Sequence, residues 1–189
     1  SFMQPLAEQD RRALLALARS AIAAQLVSDL QPQRPQQPSS VLLQPRGCFV
    51  TLHKHGNLRG CIGTIEGKRP LVELVEENAL NAAFRDPRFS PLVAAELDQI
   101  DIEISVLTPP AELDFQGPQD LIAKLRPGID GVILSKEWYG ATFLPQVWEQ
   151  LPRPESFLDH LCRKAGLGGD CWKKADIVIK TYQAEYFSE

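Results

Sequence analysis

The chain has 189 residues and a formal net charge of −4 at neutral pH. That length bounds it to one domain, or one domain in two lobes. The acidic balance excludes a general affinity for nucleic acid or for an anionic membrane surface. No apolar run approaches the roughly 20 residues that cross a bilayer, and 44% hydrophobic content is that of an ordinary globular chain.

Taken in order, Leu6 to Leu30 predicts an amphipathic helix. Leu14, Ala18, Ile22 and Leu26 recur at helical spacing beside Leu15, Ala21 and Ala24. Pro5 suits its start. Ser1 and Phe2, ahead of Met3, read as a cloning remnant. Pro32, Pro35 and Pro38 then make residues 31–40 a Pro/Gln-rich extended connector.

Cys48 to Ile65 predicts a hairpin. With Gly56 and Asn57 as its loop, Lys54 faces Arg59 and Leu52 faces Cys61. Arg59, Cys61 and Gly63 then share one face, by the alternation of a strand. His53 and His55 share the face of Thr51, away from Cys61. Pro70 to Phe84 predicts a second helix with Leu71, Leu74, Val75, Ala79 and Ala82 inward. Pro87 ends it, since the residue before a proline avoids helix, and Phe89 reads as a core anchor.

Ile100 to Leu107 is the clearest strand, with Ile100, Ile102, Ile104 and Val106 on one face. Its other face, with Asp101, Glu103, Ser105 and Leu107, reads as wet, or as lying beside the hairpin with Glu103 near Arg59. A short helix at Gln119 to Leu125 and strands at 131–134 and 140–144 follow. Then come a helical turn at Pro145 and a helix from Pro154 to Ala165. A strand-like tail covers Ile177 to Ile179 and Tyr182 to Phe187. The pattern is α+β: a mainly antiparallel sheet flanked by helices, in two lobes.

The chemistry concentrates on Arg59-Gly60-Cys61-Ile62-Gly63. Glycine weakens a strand and marks a bulge or a close approach. A guanidinium two residues from a thiol on one face favours the thiolate. Two readings stay open: a reactive Cys61 with Arg59 as its electrostatic partner, or a buried structural cysteine. Cys48, Cys61, Cys162 and Cys171 show no CxxC spacing and read as reduced thiols of a cytoplasmic protein. His160 is the histidine that folding could bring to Cys61. Arg46, Lys54, Arg59, Lys68, Arg69, Arg85 and Arg88 collect in one span, a hint of a local anion site. No phosphate loop, dinucleotide fingerprint or Ser-His-Asp signature is present, so no cofactor is indicated.

The run LRGCIGT, preceded by GCFVTL, resembles the signature of the AMMECR domain family. Further blocks follow in the family's order: NAAFRDPRFSPL, IEISVLTP, DGVIL, ATFLPQVWEQ and FLDHLCRKAGL. The resemblance runs over most of the chain, as one domain. It points to the bacterial group called AmmeMemoRadiSam system protein A. It implies two lobes with the signature looking onto a cleft, and action beside a Memo-like protein and a radical S-adenosylmethionine enzyme. Two functions follow. One is an enzyme on a small anionic or carbonyl substrate: Cys61 is nucleophile or contact, Arg59 stabilises negative charge, and Glu103 or His160 moves protons. Arg88, Ser105 and Thr142 are candidate ligand contacts. The other is a non-catalytic adaptor or subunit.

Overall fold

The computed structural model describes residues 5–189, so Ser1, Phe2 and Met3 lie outside the described residues. The chain divides into two compact units, one up to Pro109 together with Glu185–Glu189, the other Pro110–Ala184. Its elements begin with α1 (Glu8–Leu26), α2 (Ser40–Leu43), β1 (Cys48–Lys54), β2 (Asn57–Thr64) and α3 (Leu71–Phe84). After a 3-10 helix at Ala94–Gln99 come β3 (Ile100–Leu107), β4 (Ala111–Glu112), α4 (Gly117–Lys124), β5 (Gly131–Lys136) and β6 (Tyr139–Phe143). A 3-10 helix at Pro145–Glu149, α5 (Pro154–Lys164), β7 (Val178–Tyr182) and β8 (Ala184–Ser188) complete it. The class is α+β, with two sheets in the orders β2-β1-β3-β8 and β4-β7-β5-β6.

In the first unit the predicted stripes become the core. Leu14, Ala18 and Ile22 of α1, and Leu71, Val75 and Ala79 of α3, bury against Val50, Leu52, Ile102 and Ile104 of the sheet. Each large aliphatic side chain buried here contributes about 1.5–3 kcal/mol. Asn78 of α3 is the polar exception. Its amide donates to Thr64 Oγ1 at 3.1 Å and to the Cys48 thiol at 3.7 Å.

The hairpin register differs from the predicted one. Its loop residues are His55 and Gly56, with φ of 51° and 80°. Two successive left-handed residues are what a two-residue hairpin turn requires. Lys54 therefore pairs with Asn57 and His53 with Leu58. The register then shifts, and Leu52 pairs with Gly60. Arg59 is the extra residue of this β-bulge. Beyond the bulge Cys61 pairs with Thr51, not Leu52, and Gly63 with Phe49. So Thr51 lies on the face of Cys61, contrary to the predicted separation.

The core face now carries Gly60, Ile62 and Thr64. A Cβ on Gly60 would overlap the carbonyl oxygen of Ala82, so this glycine lets α3 lie directly on β2. The opposite face is wet only at one end. Asp101 is exposed and Glu103 half-buried, whereas Ser105 and Leu107 are buried.

The second unit packs α4 and α5 on its own sheet, with Leu121, Leu134, Trp148, Phe157, Leu161 and Trp172 inside. The Trp148 and Phe157 rings stack at 3.7 Å. Cys162 and Cys171 form a disulfide, Cα–Cα 5.9 Å, which corrects the reading of four reduced thiols. The turn at Ala165–Gly166, with Gly166 at φ 85°, brings the chain back within bonding range. A reduced-thiol argument for a cytoplasmic location therefore does not hold. The predicted tail also splits, β7 joining the second sheet and β8 the first. Among the described residues no helix is long and apolar enough to cross a membrane.

Gly60→Ala is expected to destabilise the first unit by about 1–3 kcal/mol through overpacking against Ala82, read as a lower urea midpoint. Reduction of Cys162–Cys171 reopens a loop of about ten residues, and is expected to lower second-unit stability by about 2–3 kcal/mol. Denaturation monitored by tryptophan fluorescence, with and without reductant, measures it.

Candidate functional site

Cys61 sits at the middle of β2, the edge strand of the first sheet. An edge strand leaves alternate amides and carbonyls without ladder partners. At Cys61 a single turn of chain beyond α3 meets that need. The amide of Cys61 donates to Asp86 Oδ2 at 3.0 Å. Arg88 Nη2 approaches the carbonyl of Cys61 at 3.4 Å.

Asp86 is itself buried and accepts three further contacts from one residue. Arg88 gives its backbone amide (3.1 Å), its Nε (3.1 Å) and its Nη2 (2.8 Å to Oδ2). That guanidinium, with the amides of Cys61 and Arg88 and against the effect of burial, holds Asp86 at about 2, below its ordinary 3.8. Arg88 in turn is raised, by Asp86 first and also by the negative charge that Cys61 can carry. Arg88 therefore bonds both a carboxylate and a nearby carbonyl, while half of its side chain stays in water.

The thiol of Cys61 lies 3.3 Å from Thr51 Oγ1 and is partly exposed. Thr51 also pairs with Glu103 on β3. The order Cys61–Thr51–Glu103 is a cross-strand row on one face. The next row is Gly63–Phe49–Ser105, and the Phe49 ring fills the space above Gly63.

Arg59 does not meet Glu103, a correction to the sequence reading. The bulge turns its guanidinium to Glu96, with Nε at 2.9 Å and Nη2 at 3.0 Å. Glu96 also accepts Lys54 Nζ at 3.0 Å and the Val93 amide at 3.2 Å. The Arg59 guanidinium is the main cause that holds Glu96 at about 2, below its ordinary 4.5. Arg59 is buried, and its Nη1 has no hydrogen-bond partner among the described residues. Phe89, expected as a core anchor, is half-buried with the guanidinium carbons of Arg59 and Arg88 6.0 and 5.4 Å from its ring centre.

The remaining candidates lie elsewhere. His55 is exposed at the turn, 3.2 Å from Gln99. His160 is exposed on α5 of the second unit, with Nδ1 2.8 Å from the Ser156 carbonyl. That contact favours a proton on Nδ1 and leaves Nε2 as the acceptor. Thr142 donates to the Val132 carbonyl at 2.9 Å and meets the Tyr182 hydroxyl at 2.8 Å. Ser105 is fully buried. Cys48 is buried too, which pushes its thiol up to about 12. No group of three His, Cys, Asp or Glu side chains among the described residues could hold a metal ion.

Three residues of the site escaped the sequence reading. Asp86 was visible as the residue before a proline and inside the NAAFRDPRFSPL block, not as a partner of Cys61. Thr51 was hidden by the misjudged register. Glu96 lies in a stretch with neither helical nor strand periodicity, so no periodicity marked it.

A partly exposed cysteine on a bulged edge strand, bracketed by two Arg–carboxylate pairs, marks the first unit of this α+β protein. The match to the AMMECR1 family model covers residues 15–187, and the chain belongs to that family. A protein of Methanothermobacter thermautotrophicus is 42% identical over 190 residues, covering 98% of this chain and 97% of its own. Protein MJ0810 of Methanocaldococcus jannaschii is 41% identical over 156 residues, 79% of this chain and 76% of its own. The crystal structure of the uncharacterized protein PH0010 from Pyrococcus horikoshii superposes with a TM-score of 0.90 at 36% identity. That likeness covers 97% of this chain and 93% of the other. None of these three is named for an activity.

Glu96 and Asp86 titrate lower in the folded chain than when unfolded. Each therefore stabilises the fold fully above its unfolded value, near 4.5 and 3.8, and loses that contribution as pH falls towards about 2. Urea unfolding between pH 7 and pH 2 is expected to show stability declining through this window. Glu96→Gln and Asp86→Asn should each be less stable at pH 7 and show a shallower decline.

Proposed function

We propose that this protein is a thiol-dependent enzyme acting on a small anionic or carbonyl substrate, with Cys61 as nucleophile. The observation that carries the reading is the surrounding of the sulfur. It is partly exposed, it lies against a threonine hydroxyl, and it sits on a backbone fixed by Asp86 and Arg88. A cysteine kept only for packing is ordinarily shut away from solvent, as Cys48 is here.

In this reading the thiolate adds to an electrophilic carbonyl carbon. A C–S bond forms and the carbonyl π pair moves onto oxygen. The thiol proton passes to the Thr51 hydroxyl, and Glu103, the next side chain in the row, is the carboxylate that accepts it. On His160, Nδ1 holds its proton toward the Ser156 carbonyl, so Nε2 is the nitrogen left to accept one. Arg59, buried and engaged by Glu96, shapes the bulge rather than meeting substrate directly.

A second reading is a recognition subunit of the AmmeMemoRadiSam system protein A type, working with a Memo-like protein and a radical S-adenosylmethionine enzyme. Trp138 supports it, being 84% exposed at the β5–β6 turn beside Tyr139. Large aromatic side chains left in water are common anchors of protein–protein contacts.

Alkylation of the native protein with iodoacetamide across pH separates the two. Cys162 and Cys171 are bonded to each other and Cys48 is buried. One modification per chain, at Cys61, is therefore expected, with an apparent pKa below 8 against an ordinary value of about 8.5. Absence of modification at Cys61 in the folded protein would remove the enzyme reading and leave the recognition subunit.

A further inference from the structure

We propose that Arg88, anchored by Asp86, is the anion subsite beside Cys61, and that the substrate carries a carboxylate or phosphate group next to the carbon the thiol attacks. The inference rests on the thiol reading above and adds what that reading leaves open, the part of the substrate that is recognised and the side chain that recognises it.

Two arginines flank this stretch of β2, and the structure separates their roles. Arg59 has one planar edge closed by Glu96 and its third nitrogen, Nη1, buried. A solute cannot reach it without displacing a side chain. Arg88 also commits one edge, Nε and Nη2, to a carboxylate. Its side chain is 51% exposed, however, and Nη1 makes no hydrogen bond among the described residues. With Nη2 shared between Asp86 and the Cys61 carbonyl, the two N–H groups of Nη1 are those left to donate to an oxyanion. The guanidinium plane is already held, because Asp86 fixes Nε and Nη2 and is itself buried at 4% exposure. Less side-chain freedom is lost when a ligand docks on such a group.

Position supplies the second half of the argument. Nη2 of Arg88 lies 3.4 Å from the carbonyl oxygen of the nucleophile's own residue. Asp86 bonds the amide of that residue and the guanidinium together, so one buried carboxylate holds the cation beside the backbone of Cys61. An anion held on the open side of Arg88 brings an adjoining carbon near the sulfur. The Phe89 ring, 5.4 Å from the Arg88 guanidinium carbon, offers an apolar surface for the ligand's planar part. Asp86 is a positioning residue in this scheme, since it reaches the ligand only through Arg88.

The test compares iodoacetate with iodoacetamide on the whole protein, at equal pH and ionic strength. In both reactions the thiolate attacks the CH₂ carbon, an S–C bond forms, the C–I bond breaks and iodide leaves. The reagents differ chiefly in the carboxylate next to the reacting carbon. The rate ratio of anionic to neutral reagent is expected to fall about tenfold from wild type to Arg88→Gln. Arg88→Lys should restore part of it, and added salt should depress it in the wild type. Asp86→Asn should lower the ratio while the neutral reagent still reacts. A purely structural role for Arg88 would change both reagents alike and leave the ratio unmoved, which overturns the subsite while the nucleophile stands. Failure of both reagents at Cys61 overturns subsite and nucleophile together.

Discussion

One buried carboxylate organises the candidate site. Asp86 takes the amide of Cys61 in the way a neighbouring strand would, and it takes the backbone and guanidinium of Arg88 as well. A sheet edge with open amides invites another strand. Here the edge is closed at Cys61. The turn after α3 thus serves as side-chain cover for β2, and it needs no further strand to do so.

A second carboxylate repeats the arrangement one step along. Glu96 gathers Arg59, Lys54 and the Val93 amide, and so ties the bulge to the 3-10 helix ahead of β3. Both carboxylates are held near 2 by charged donors rather than by exposure. Phe89 lies against both guanidinium groups. The two arginines look alike in sequence yet differ in access. Arg59 is spent on holding the strand's shape, whereas Arg88 keeps one side in water.

The four cysteines meet three different fates. Cys48 faces the core under Asn78 and is held as a neutral thiol by burial. Cys162 and Cys171 close a short loop of the second unit. Cys61, like Cys48 not bonded to another sulfur, is partly exposed and lies against the Thr51 hydroxyl. Spacing along the chain could not distinguish these, because burial and pairing depend on what folds over each residue.

Periodicity was enough for α1, α3, β3, both hairpins and the α+β class, because each buries one face and local alternation reports that burial directly. The family was legible from the Leu58–Thr64 signature and the blocks after it. The hairpin register was not, since one extra residue at Arg59 moves every later pair and depends on which two residues take the turn. Nor did any pattern show that Glu96 rather than Glu103 would meet Arg59, or that β7 and β8 would enter different sheets. Those outcomes bring together groups dozens of residues apart, and only the packing of α3 onto β2 and the path of the chain between them decide which charges end within reach.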